Sequence, residues 1–130
     1  MKTPASSLRS LWTAVGWFGV LLLVFLSLMR NPPSLDIAYF DKIGHVSAYA
    51  VLMWWWAQLD IAFARRLTTA AALVALGAGL EFVQRATGYR TFESADMAAD
   101  AIGVAAGWLL APPRLPNLLA LAERIAATRE

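Results

Sequence analysis

Cysteine is absent from the chain, and its absence removes three kinds of chemistry at once. There can be no disulfide framework, no Cys-based zinc site and no thiol nucleophile. Histidine occurs once, as His45, so no H-E-x-x-H metal helix can be written. Ser47 and Ser94 lack a G-x-S-x-G setting, which leaves no nucleophile elbow. Charge is also scarce, at 15% of 130 residues, where a small soluble domain carries roughly a quarter. The eleven Lys and Arg give a net charge of +2 but form no run. Nucleic acid is therefore not an expected partner. No internal repeat of the kind transporters carry is visible.

What the chain has in excess is apolar residues, 59% of the total, with a mean hydropathy of +0.55. They fall into four blocks separated by short charged joints. Leu11 to Met29 is almost wholly apolar and about 28 Å long as a helix, close to a hydrocarbon core of about 30 Å. Its rival reading is a cleaved signal peptide. The block is too long for that and ends Met29-Arg30-Asn31-Pro32-Pro33 rather than in small residues. Ile43 to Leu59 and Leu67 to Val83 follow. The fourth segment, about 95–111, is shorter, starts near Ser94, holds Asp100 and stops at Pro112-Pro113. These spacings predict an all-α polytopic bundle of about four transmembrane helices in one domain, residues 1–130. Three spans plus a re-entrant segment is the alternative. Beyond Pro116, Asn117 can cap a short interfacial helix running to Arg129.

Antiparallel threading puts Lys2, Arg9, Arg65, Arg66, Arg114, Arg124 and Arg129 on one side and Arg30, Lys42, Arg85 and Arg90 on the other. The side richer in basic residues is expected to be cytoplasmic, and both termini with it. Aromatic residues agree with the alignment of the helix ends. All six Trp lie towards the cytoplasmic ends and Tyr39, Tyr49 and Tyr89 towards the outer ones. The Trp54-Trp55-Trp56 run reads as an interfacial anchor.

Ionisable groups inside a span cost roughly 2.5–3.5 kcal/mol each at its centre, so those retained need a reason. Asp41, His45 and Tyr49 follow one another at steps of four and share a helix face, with Lys42 beside them. Glu81 lies near the outer end of the third span, with Gln84 and Arg85 a turn further on. Asp96, Asp100, Gly103 and Gly107 make a stripe along the fourth. Threading brings three separated segments' polar residues to the same depth, the outer ends. Counted with Glu93, Arg85 and Arg90, the cluster carries a formal excess of negative charge. A proton on His45, a proton shared between carboxylates or a bound cation would relieve it.

Each residue also has a plainer reading. Asp41 and Lys42 form an interfacial ion pair, His45 a packing histidine, and Asp96 a helix-dipole carboxylate; Arg90 becomes a counter-ion. Arg85, Glu93, Arg65, Arg66 and the tail charges read as solvated or headgroup-facing. Gly103-x-x-x-Gly107 and Ala75-x-x-x-Gly79 are small-xxx-small patterns that read as helix packing.

Taken together, Asp41-Lys42-x-x-His45-x-x-x-Tyr49, Glu81-x-x-Gln84, Gly88-Tyr89-Arg90 and Asp96-x-x-x-Asp100-x-x-Gly103-x-x-x-Gly107 resemble the VanZ-like family of bacterial membrane proteins. The resemblance covers about residues 35–111. It departs from the family pattern where Tyr89 separates Gly88 from Arg90 and where Asp100 stands in place of the usual Asn. It implies a small multi-span protein of the bacterial cytoplasmic membrane, in a family whose namesake is linked to teicoplanin resistance. That phenotype does not transfer with the fold.

The candidate ligand-binding set is Asp41, Lys42, His45, Tyr49, Glu81, Gln84, Arg90, Asp96 and Asp100. His45, Glu81, Asp96 and Asp100 are its candidates for catalysis. The first functional expectation is an outward pocket that binds or shields a lipid headgroup, a lipid-linked cell-wall precursor or a lipoglycopeptide. The second is an enzyme acting on a lipidic substrate with His45 as general base. The third is a structural scaffold. Membrane lipids are the expected partners, and neither a cofactor nor a spaced metal motif is read from the chain, although an oxygen-rich Mg²⁺ or Ca²⁺ site fits its carboxylates.

Overall fold

The fold is taken from a computed structural model, which describes residues 4–32, 35 and 39–128. Lys2, Pro33 and Arg129, which entered the sequence reading, lie outside the described residues. Among these there are five helices and no strand: α1 Pro4–Leu28, α2 Phe40–Trp56, α3 Phe63–Thr87, α4 Ser94–Leu110 and α5 Leu118–Ala127. The class is all-α.

Two helices, α1 and α3, are long and apolar enough to cross a membrane. Much of α1 faces outward, with Leu11, Trp17, Phe18, Leu21 and Phe25 each more than half exposed. A water-soluble monomer rarely carries so large an apolar face, whereas lipid covers one without penalty. The helices α2 and α4 have 17 residues each. The first starts earlier than its apolar block does, so Asp41 and Lys42 belong to its opening turn.

Backbone proximity between α2 and α4 holds the bundle together. A Cβ on Gly103 would strike the Val46 carbonyl, and one on Gly107 would strike the Ala50 carbonyl and come within 2.9 Å of the Met53 Cβ. The Gly103/Gly107 stripe is thus a helix-packing seam. Gly79 behaves differently, because nothing lies within 4 Å of a Cβ placed there and Ala75 is also exposed. The Ala75/Gly79 pattern is not a packing seam; it lies on the outward face of α3, whose inward face is Ala70, Leu73, Gly77 and Leu80. Tyr49, Leu52, Met53, Ala57, Ala70, Leu73, Val104 and Ala111 form the core.

The end formed by the start of α1, the end of α2, the start of α3 and α5 is fastened by hydrogen bonds to main-chain carbonyls. Arg9 donates to the Leu59 carbonyl at 2.7 Å and pairs with Glu123. Trp12 and Trp55 stack at 3.8 Å, and each indole N–H donates to the other's carbonyl. Trp56 meets Trp17 edge-on. The tryptophan run therefore clasps α1 as well as lying at a helix end.

Arg66 corrects the reading of the joints as solvated. It is buried, and its guanidinium donates to the carbonyls of Asp60, Ala57 and Pro112. These carbonyls follow the last turns of α2 and α4, where no helical donor remains, and a planar five-donor fork reaches all three. Its neighbour Arg65 stays exposed and pairs with Asp60. Gln58, also buried, accepts from the Leu118 amide, while the Asn117 side-chain amide donates to the Gln58 carbonyl. The Asn117 side-chain oxygen accepts from the Ala120 amide and so caps α5.

Candidate functional site

At the opposite end charged side chains meet one another as well as the backbone. Three helix termini deliver them: the first turns of α2 and α4, which pack together, and the last turns of α3. His45 lies one turn into α2, and its Nδ1 is 2.7 Å from an Asp100 oxygen. Asp100 is 2% exposed, so this pair is desolvated. The second ring nitrogen, Nε2, lies 3.7 Å from Asp96 Oδ2. Lys42 collects three carboxylates: Asp41 at 2.8 Å, Glu93 at 2.6 Å and Asp96. Glu81, 1% exposed on α3, accepts the backbone N–H of Glu93 at 3.0 Å, which ties the end of α3 to the start of α4.

Gly77 makes this convergence sterically feasible. A Cβ there would overlap the Asp100 carboxylate and come within 3.1 Å of the Tyr49 hydroxyl, so only a glycine lets both lie against α3. The structure thus gathers His45, Tyr49, Glu81, Asp96 and Asp100 around one point, with Asp41 and Lys42 at its rim.

Two residues of the sequence set, Gln84 and Arg90, stand apart from the cluster. Gln84 is buried, but its amide donates to the Ser27 carbonyl at 2.7 Å, where it holds the end of α1. Arg90 makes no ion pair among the described residues, and Arg85 is exposed. Neither arginine is paired with the cluster, so five carboxylates converge on one ammonium and one imidazole. The formal negative excess is therefore larger than sequence counting implied. Glu93 is exposed, as expected, and also joins the cluster, through its amide to Glu81 and its carboxylate to Lys42. Nothing in its spacing marks it. Tyr89, by which the chain departs from the VanZ-like pattern, donates its hydroxyl to the Leu28 carbonyl at 2.7 Å and carries Arg30 over its ring. It fastens α1 alongside Gln84.

A groove of about 560 Å³ opens between the end of α1 and the first half of α2. Leu26, Leu35 and Phe40 supply apolar wall, and Asp41, His45 and Arg90 supply polar groups. His45 belongs to both groove and cluster. Such an arrangement can accept an amphiphile with its chain on the apolar wall and its polar part at His45. It can also set His45 Nε2 as a base, since a carboxylate on Nδ1 fixes the ring's orientation.

Comparison of the chain with protein-family models, with curated proteins and with solved structures finds no match.

Proposed function

We propose that the chain is a VanZ-like four-span protein of the bacterial cytoplasmic membrane that binds or shields a lipid headgroup or a lipid-linked cell-wall molecule in an outward-facing pocket. The 17-residue helices α2 and α4 are about 26 Å long and span with modest local thinning. The basic asymmetry of the joints favours cytoplasmic termini, with the His45 end outside. The observation that carries the reading is the groove itself. It has apolar walls at membrane depth, and its floor is a histidine hydrogen-bonded to a buried aspartate. A buried ion pair is weak evidence for stability, and an ionisable residue inside a membrane bundle points by default to a functional site.

The test is native mass spectrometry of the chain extracted from membranes, compared with a groove-filled variant. Gly44 lines the groove, and nothing lies within 4 Å of a Cβ placed there. Gly44→Leu therefore projects an apolar side chain into the groove from a position where its Cβ meets no protein atom. A copurifying amphiphile that is present in the parent and absent from Gly44→Leu supports the reading. An amphiphile retained equally by both, or carried by neither, sinks it. A second reading rests on the His45–Asp100 pair: general-base chemistry at the same headgroup. It requires turnover of the bound amphiphile that is lost in His45→Gln with binding kept.

A further inference from the structure

Beside the groove, three side chains bring ligating atoms together without hydrogen bonds between them. A ring nitrogen of His45, a Glu81 oxygen and an Asp96 oxygen all lie within 4.8 Å of one another, and of the three residues His45 lines the groove. The His45–Asp96 separation of 3.7 Å exceeds hydrogen-bond reach. It falls between the roughly 3.0 Å and roughly 4.2 Å that separate adjacent and opposite ligands around an ion with bonds of about 2.1 Å. We propose that His45 Nε2, Glu81 and Asp96 hold one divalent cation of the Mn²⁺ or Zn²⁺ type beside the groove, behind His45.

The surrounding groups match what such an ion needs. Asp100 on Nδ1 fixes the ring and leaves Nε2 free to ligate, the carboxylate–histidine arrangement that supports many metal-bound imidazoles. Independently, the Tyr49 hydroxyl points to a missing partner. Tyr49 is 1% exposed, its hydroxyl lies beside the Asp100 carboxylate against Gly77, and it makes no hydrogen bond to a described residue. A hydroxyl so placed has a donor to spare, and a water carried on the ion would accept from it. Charge argues the same way, because Lys42 is the one ammonium facing five converging carboxylates, and it sits on the Asp41, Glu93 and Asp96 side. The group Asp41, Glu93 and Asp96 also comes together, but Lys42 already occupies it. Closing the three ligands onto an ion takes a side-chain shift of about half an ångström. One nitrogen with two carboxylates suits a borderline divalent ion better than Mg²⁺ or Ca²⁺. If the groove holds a lipid phosphate, His45 is the residue that joins it to the ion; that use rests on the amphiphile reading, whereas ion binding does not.

The experiment uses the full chain in detergent, purified without a histidine tag and stripped by a chelator. Titration with Mn²⁺ is followed by the loss of the free-ion electron paramagnetic resonance signal. One saturable ion per chain is expected, displaced by Zn²⁺ and weakened at least tenfold in Glu81→Gln. Because the chain has a single histidine, ¹⁵N-histidine labelling tests ligation without any substitution. Hyperfine coupling from the labelled nitrogen to bound Mn²⁺ is expected. Its absence, or the lack of a one-to-one site, overturns the proposal. Loss of the ion on Asp41→Asn with retention on Glu81→Gln overturns it too, by moving the ion to the lysine side. An amphiphile that copurifies with a chain lacking the Mn²⁺–nitrogen coupling leaves the groove reading standing and removes the cation. Coupling without an amphiphile does the reverse.

Discussion

The two ends of the bundle handle buried charge in opposite ways. At the end near α5, Arg66 spends its donors on three carbonyls that the helices leave open, and Gln58 closes the chain onto α5. The buried charge there, Arg66, is answered by backbone. At the other end carboxylates face an imidazole, an ammonium and one another, and the hydroxyl of Tyr49 has no partner among the described residues. The first arrangement is what a fold requires, since helix ends must find donors wherever water is excluded. The second exceeds what a fold requires. Equal burial at both ends therefore carries different information, and the partners of each buried group show which end has work beyond folding.

The comparison breaks most sharply at Arg66. Arg66→Met keeps the bulk of the side chain and leaves three carbonyls without a donor, at a cost on the order of 1 kcal/mol or more for each. The expected loss is about 3 kcal/mol, measured by denaturant unfolding in mixed micelles, with any ligand retained by the folded fraction. If stability is unchanged, the α5 end is not the structural end.

Gly107→Val comes next. Its side chain would meet the Ala50 carbonyl, and α2 and α4 would have to separate. Overpacking of this kind costs about 1–3 kcal/mol. Because the same seam sets the spacing of His45 and Asp100, ligand binding should weaken along with the melting temperature. Melting with binding intact would mean that the two ends are not mechanically joined through the seam.

Asp100→Asn moves stability little and function most. Asn keeps an oxygen for His45 Nδ1 and removes one of the crowded charges. The expected result is a melting temperature that is unchanged or slightly raised, with ligand binding lost. If the cluster is only a structural lock, the same change lowers stability by about 3–5 kcal/mol instead, as for one partner of a buried ion pair. The outcome assigns the charged end to binding or to scaffolding.

Parts of this arrangement were legible in the sequence. Step-of-four spacing placed Asp41, His45 and Tyr49 on one face, and threading of the blocks carried Glu81 and Asp100 to the same depth, because helix rise and apolar length are local properties. Two kinds of residue were not legible. Glu93 enters the cluster through its backbone amide, which no side-chain pattern records. Arg66 reads like any loop arginine until the ends of α2 and α4 are in place, because the carbonyls it satisfies come from other segments. Gln84 failed in the opposite direction: it lies in line with Glu81 but turns to α1, whose position relative to α3 no spacing within α3 can report.

The smallest effect is expected beside the largest, at the exposed pair Asp60–Arg65 next to Arg66. The Ala62 amide donates to Asp60 at 3.0 Å, and the Arg65 guanidinium pairs with the other oxygen. Together they hold the Asp60 carboxyl below its usual range, the amide contributing most. A carboxyl whose folded value is depressed contributes stability that is fully present above its unfolded value, about 3.9. That contribution is lost as pH falls through the lower folded value. Asp60→Asn should therefore leave unfolding nearly unchanged in the presence of acid strong enough to protonate the parent, and separate from the parent only slightly at neutral pH, since exposed pairs are weak and salt-screened. The measurement is a pair of pH–stability curves at low and at moderate salt. A neutral-pH difference rivalling that of Arg66→Met would show that the turn, rather than the buried fork, holds this end together. A small one that shrinks with salt assigns the work to Arg66, in the first turn of α3 beside Arg65.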